Sequence, residues 1–247
     1  MEAEKLAILG FISFLMSILS GIGGGGGGFI MTPLAIFFGL TPQQAIASGK
    51  IGGLGVALGS LQGLTKAKVH RWRVVMPLML LAAIVGLIAP RVIVNLDNDL
   101  YRRLIGIMLL LLIPVMWLRK IGLHETTPSG WQKAIGIPLL AITLLMQAVF
   151  SSGMGTLVVL VLMGLLGMRA LEANVTKRFS QVLLNSLVVL GLLGTGLIIW
   201  EVAIVLFIAS VFGGYIGSKI AIKKGDEFIT KIFAILMLIS GLELIFG

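Results

Sequence analysis

Ser20-Gly-Ile-Gly-Gly-Gly-Gly-Gly-Gly-Phe29 joins two apolar runs, Leu6 to Leu19 and Phe29 to Leu40, and contains six consecutive glycines, Gly23 to Gly28. Such a run ends a helix, and here it does so between segments apolar enough for a bilayer. Irregular backbone at membrane depth leaves N–H and C=O groups unpaired. It survives only where it is buried in protein or lines a polar cavity. The stretch therefore predicts a broken helix and, at the break, a candidate site.

The composition extends this reading to the whole chain. Of 247 residues, 58% are hydrophobic and 12% charged, and apolar runs recur almost to the end. This is the pattern of a polytopic membrane protein whose short loops leave no room for a soluble domain. There is no cysteine, which excludes disulfides, thiolate nucleophiles and Cys-ligated metals. His70 and His124 lie in charged connecting segments with no second His at ligand spacing, so no metal or other cofactor is expected. The net charge of +9 comes largely from basic residues between spans, where they act as topology signals; nucleic acid is not an expected partner. Residues 1–28 have the length of a signal peptide. Their flank, Met-Glu-Ala-Glu-Lys, is more acidic than basic, and no small-x-small cleavage site precedes the glycines, so a retained first segment is expected.

The predicted segments are 5–20, 29–39, 44–64, 74–94, 103–118, 134–150, 155–167, 177–197, 201–218 and 229–246. The second and seventh are too short to cross about 30 Å of hydrocarbon at about 1.5 Å per residue, and read as half-helices. Sliding the chain against itself by 128 residues pairs Trp72 with Trp200, Lys5 with Lys133, Gly25 with Gly153, Gly27 with Gly155 and Gly86 with Gly214. It also pairs Ser48 with Thr176, Lys50 with Arg178, Asp99 with Glu227 and Arg103 with Lys231. Tryptophans, glycines and same-sign charges are scarce enough in a greasy chain for these matches to mark an internal repeat. The expected units are 1–120 and 133–247, joined by a loop at 121–132.

Charge decides the relative orientation of the units. If each glycine-broken pair returns to its starting side, the loops 65–73, 119–133, 168–178 and 219–231 share one face with fourteen basic residues, against five on the other. If each pair is a single crossing, the division is eight and eleven. The positive-inside rule favours the first arrangement, with both termini outside. The expected fold is an all-α polytopic membrane protein of two inverted-topology repeats, each a Gly-broken pair of short helices followed by three transmembrane helices. That is an architecture of secondary transporters.

The break itself suggests a ligand chemistry. A helix starting near Phe29 leaves its first N–H groups free, and Gly23, Gly24, Gly25, Gly26, Gly27 and Gly28 allow backbone donors to converge on an anion. In the second copy, Ser151, Ser152, Gly153 and Gly155 precede a helix from about Thr156 and add two hydroxyls. Two opposed helix N-termini near the midplane would bind an anion between the repeats; the plainer reading is that the glycines serve close packing or a flexible connection. Lys50 and Arg178 lie near the starts of apolar helices, where a lipid-facing charge costs at least about 2.5 to 3.5 kcal/mol. They either neutralise an oxyanion or snorkel to the headgroups, the latter being easier for Arg178 beside Lys177. Gln181 and Asn185 share one helical face with Arg178, for ligand binding or interhelical hydrogen bonds; Gln62 and Gln147 are lesser candidates. Glu201 and Glu243 sit near predicted helix ends, so no proton site stands out, and uniport needs none.

The stretch from Gly21 to Pro33, followed by Gly39-Leu-Thr-Pro-Gln-Gln-Ala45, a small-residue helix through Gly63 and a basic loop from Lys66 to Arg73, resembles the TauE/SafE family of membrane transporters. Similar spacing and hydropathy extend over most of the chain, although Ser151-Ser-Gly-Met-Gly155 lacks most of the glycines that many members repeat there. The resemblance implies export of sulfite or a short organosulfonate across a bacterial inner membrane. A channel or transporter for another small metabolite or ion is the alternative. An intramembrane enzyme fits less well, since Ser151 and Ser152 have no histidine within the spans.

Overall fold

The computed structural model describes residues 2–25, 27–65, 72–95, 97, 127–150 and 154–246. These residues form α1 (Ala3–Gly23), α2 (Gly27–Phe37), α3 (Pro42–Leu64), α4 (Trp72–Asn95), α5 (Gly130–Val149), α6 (Gly155–Gly164), α7 (Ala170–Leu192) and α8 (Trp200–Phe246). The expected segment 103–118 lies outside them.

Two kinds of long helix are present. The helices α1, α4, α5 and α8, the last over Trp200–Ile229, are long and apolar enough to cross a membrane. They expose Phe11, Leu80, Leu87, Ile137 and Phe212 on outward faces, as a hydrocarbon solvent allows. The other kind is α3 and α7, each 23 residues long, which bury Ser48, Lys50 and Ser60, and Asn174, Lys177, Arg178, Gln181 and Asn185 respectively. Polar helices of spanning length are stable at that depth only when apolar neighbours enclose them. Here α3 packs along α8 and α7, and α7 along α4.

Small residues set these contacts. Gly52 meets Leu206 and Gly55 meets the backbone of Phe207, and the contacts continue through Gly59 with Val211 and Gly63 with Ser218. Both helices therefore run in the same direction. A Cβ on Gly55 would lie 2.6 Å from the Phe207 carbonyl oxygen, so only glycine permits this approach. Along α4 and α7 the rings of Trp72 and Phe179 stand 5.4 Å apart, followed by Gly86 against Leu187 and Pro90 against Gly191; these helices also run in the same direction.

One boundary differs from the sequence expectation. The segment predicted at 177–197 begins seven residues earlier, as α7, so Lys177 and Arg178 belong to a buried helix rather than a loop. The Asp226 carboxylate caps that early start, accepting from the Leu171 N–H at 2.8 Å while it pairs with Arg169. The segments predicted at 201–218 and 229–246 are present as the two arms of α8, separated by a kink at Gly225, whose φ is 78°.

Candidate functional site

The two broken helices meet. Gly24 closes α1 in a left-handed conformation, φ 78°, donating its N–H to the Ser20 carbonyl at 2.9 Å. The next residue, Gly25, lies against the start of α6: a Cβ there would be 2.6 Å from the Thr156 nitrogen and 3.0 Å from the Gly155 carbonyl carbon. Gly27, Gly28 and Phe29 form the first turn of α2, two residues earlier than expected. Gly23 is buried in the last turn of α1. Gly26, Ser151, Ser152 and Gly153 lie outside the described residues.

A break creates two helix ends, and the sequence reading considered only one of them. The N-termini of α2 and α6 offer N–H groups, but the C-terminus of α1 also ends here, with its free carbonyls and negative dipole end. The side chains of α7 cap those carbonyls. Asn174 Nδ2 donates to Gly21 at 3.1 Å and to Ile22 at 3.0 Å, and Lys177 Nζ donates to Gly24 at 2.7 Å. Arg178 Nη2 donates to the carbonyl of Ser20.

Lys50, Lys177 and Arg178 are 1, 1 and 0% exposed, so the snorkelling alternative for Lys50 and Arg178 does not hold. Headgroups are out of reach because Arg178 points at the end of α1, and Lys50 Nζ donates to the Gln147 carbonyl at 2.5 Å. Gln181 ties the group together. Its Oε1 accepts from Lys177 Nζ at 2.7 Å and Arg178 Nη1 at 2.9 Å, and its Nε2 donates to the Gly53 carbonyl at 3.1 Å. Every partner shown for the three cations is a neutral oxygen, and among the described residues no salt bridge joins them to a carboxylate. Asn185, one turn beyond Gln181, is 1% exposed and its amide has no partner. Gln62 is exposed and away from the cluster, whereas Gln147 is in it.

Lys177 and Asn174 are the residues that sequence reasoning missed as site components. The signal was present: a broken helix needs its open carbonyls capped, and cations are favoured at a helix C-terminus.

A crevice between α1, α2, α3 and α8 reaches the cluster at Lys50. Lys50 and Gly53 line it, Gly28 brings in the first turn of α2, and Ser13, Ser17, Ser20, Thr32 and Ser210 add hydroxyls. Ser17 Oγ donates to Ser210 Oγ at 2.9 Å, and Ser13 Oγ lies 3.1 Å from the same atom.

Broken helices meeting around buried cations, with a hydroxyl-bearing crevice leading to one of them within an apolar bundle, are the equipment of a multi-pass membrane transporter. The chain belongs to the TauE/SafE family, since the family model described as "Sulfite exporter TauE/SafE" matches residues 9–244. A "Probable membrane transporter protein" of Haemophilus influenzae is 25% identical over 98% of this chain and 95% of its own length. A "Probable membrane transporter protein ORF9" of Sinorhizobium sp is 22% identical over 97% of this chain and 92% of its own. No solved structure matches the chain.

Proposed function

We propose that this transporter exports a small sulfur oxyanion, sulfite or a short organosulfonate, bound where the two breaks cross near the membrane midplane. The observation that carries the reading is the group Lys50, Lys177 and Arg178, fully buried with only neutral oxygens as partners. Buried charge of one sign without a counter-charge is costly, and an anionic substrate supplies the missing one. Arg178 offers a planar fork to an oxyanion and Lys50 a point charge. The first N–H groups of α2 and α6 add donors without adding formal charge. The crevice carries the anion from one face to Lys50.

The proposal includes alternating access between inverted repeats, 1–120 and 133–247. The link 65–71 reaches at most about 28 Å, while α4 is about 36 Å long, so α4 must run back antiparallel to α3. Since α4 runs with α7, the latter is antiparallel to α3, its counterpart under the 128-residue shift. The link 193–199 constrains α7 and α8 in the same way. The packing is exchanged between the copies as a two-fold requires: α1 lies on α8 and α5 on α4. Gln181 and Gly53, which hydrogen-bond each other, are themselves 128 residues apart. With Lys50, Lys177 and Arg178 assigned to helices, the loop count becomes twelve basic residues against four, and the reading of both termini as outside stands. An inside-negative potential drives an anion outward with about 2.3 kcal/mol per charge per 100 mV, so uniport suffices for export.

Thermal unfolding of the purified protein in the presence of sulfite, sulfate, thiosulfate, sulfoacetate, taurine and simple carboxylates tests the reading. A ligand at 100 times its Kd stabilises the folded state by about 2.7 kcal/mol. The expected result is stabilisation by a sulfur oxyanion that Lys50→Met and Arg178→Met abolish. Stabilisation by carboxylates alone, or by none of the set, would overturn it.

A further inference from the structure

Four ionisable side chains are buried among the described residues: Lys50, Glu172, Lys177 and Arg178. Among these residues the cations outnumber the acid by two, and a doubly charged ligand offsets more of that excess than a singly charged one.

Lys177 is the residue that raises the balance from one to two. Lys50 and Arg178 are repeat counterparts, but the counterpart of Lys177 is Gly49. Its ammonium uses two of its three N–H donors, on Gly24 and Gln181. It stands at the first turn of α6, where a side chain begun at residue 155 would meet both Lys177 Nζ and Gln147 Oε1 within 3.3 Å. Glycine lets the Lys177 ammonium lie directly against the first turn of α6. The Gln147 side chain is 1% exposed, and neither its Nε2 nor its Oε1 has a partner. Native proteins seldom leave both ends of a buried amide unpaired, because each group forfeits its hydration. A ligand oxygen bound beside the Gln147 amide would accept from that amide and from Lys177, at the positive end of the α6 dipole.

We infer that Gln147, Lys177 and the first turn of α6 form a subsite for one oxygen of the transported anion, and that this subsite selects a doubly charged oxyanion over a singly charged one. The inference rests on the anion-transport reading and narrows it to sulfite-like dianions or sulfonates that carry a second negative group.

Titration calorimetry of the full-length protein with sulfate and methanesulfonate at pH 8 compares a dianion with a monoanion of the same sulfur-oxygen chemistry. The wild type is expected to bind sulfate about tenfold or more tightly than methanesulfonate, the worth of one charge-assisted hydrogen bond. Lys177→Met should erase that preference while methanesulfonate binding persists. Gln147→Leu serves as the second variant, because removing an unpaired amide raises the melting temperature of the ligand-free protein. Its sulfate affinity should nevertheless fall about tenfold, for the same lost hydrogen bond. Equal binding of the two anions by the wild type, a preference that survives Lys177→Met, or unchanged sulfate affinity in Gln147→Leu would each overturn the subsite and leave anion transport standing. Failure of the wild type to bind either anion would remove both.

Discussion

Asn174 holds together more of the site than its neutral side chain suggests. It is 0% exposed, donates to two carbonyls at the end of α1 and accepts from Arg178 Nε at 3.3 Å. Asn174→Ala would strand three buried polar groups, and each such group typically costs about 1–3 kcal/mol. A marked fall in the thermal midpoint of the ligand-free protein is expected, where an exposed substitution such as Gln62→Ala should leave it unchanged. Lys50, Arg178 and Gln181 were legible in the sequence as polar residues at helical spacing within apolar runs. Asn174 and Lys177 were not, because the apolar run begins only after them and the stretch Glu172 to Arg178 reads as a loop. It is helical because the carbonyl end of α1, some 150 positions away in the chain, receives its polar side chains. No local pattern announces a partner so distant.

The α3–α8 contact depends on glycine more than on any large side chain. Gly55→Ala would push a methyl into the Phe207 carbonyl, and overpacking of this kind costs about 1–3 kcal/mol. Gly49, nearly two turns earlier, has open space around it and no positive φ, so Gly49→Ala should hold or raise stability through helix propensity, worth up to about 1 kcal/mol. Thermal melts of the two variants should therefore move in opposite directions. Most helix positions were readable from apolar run length, including the two short ones. The start of α7 was not readable because its cap, Asp226, arrives from another helix.

In the whole molecule, the proposed 128-residue repeat rests on Trp72 and Trp200, and Lys50 and Arg178, scarce residue types at matching places. The glycine run was a weaker guide to the second copy, where few glycines remain. The chain has no native cysteine, so single cysteines report topology directly. Thr65→Cys and Thr195→Cys end equivalent helices of the two repeats and should label with a membrane-impermeant maleimide from opposite sides in oriented vesicles. Labelling from one side would sink the inverted arrangement. The crevice hydroxyls carry a further consequence. Moved by 128 positions, Ser13, Ser17, Ser20 and Thr32 become Ala141, Leu145, Ala148 and Leu160, and Ser210 corresponds to Ala82. On the proposed anion path, an anion on one side of the cluster can exchange bound water for hydroxyls a few at a time, whereas on the other it must shed that water against hydrocarbon. The two approaches then have barriers of unequal height. Net flow still follows the gradient in either direction, but equal and opposite gradients drive it at different speeds.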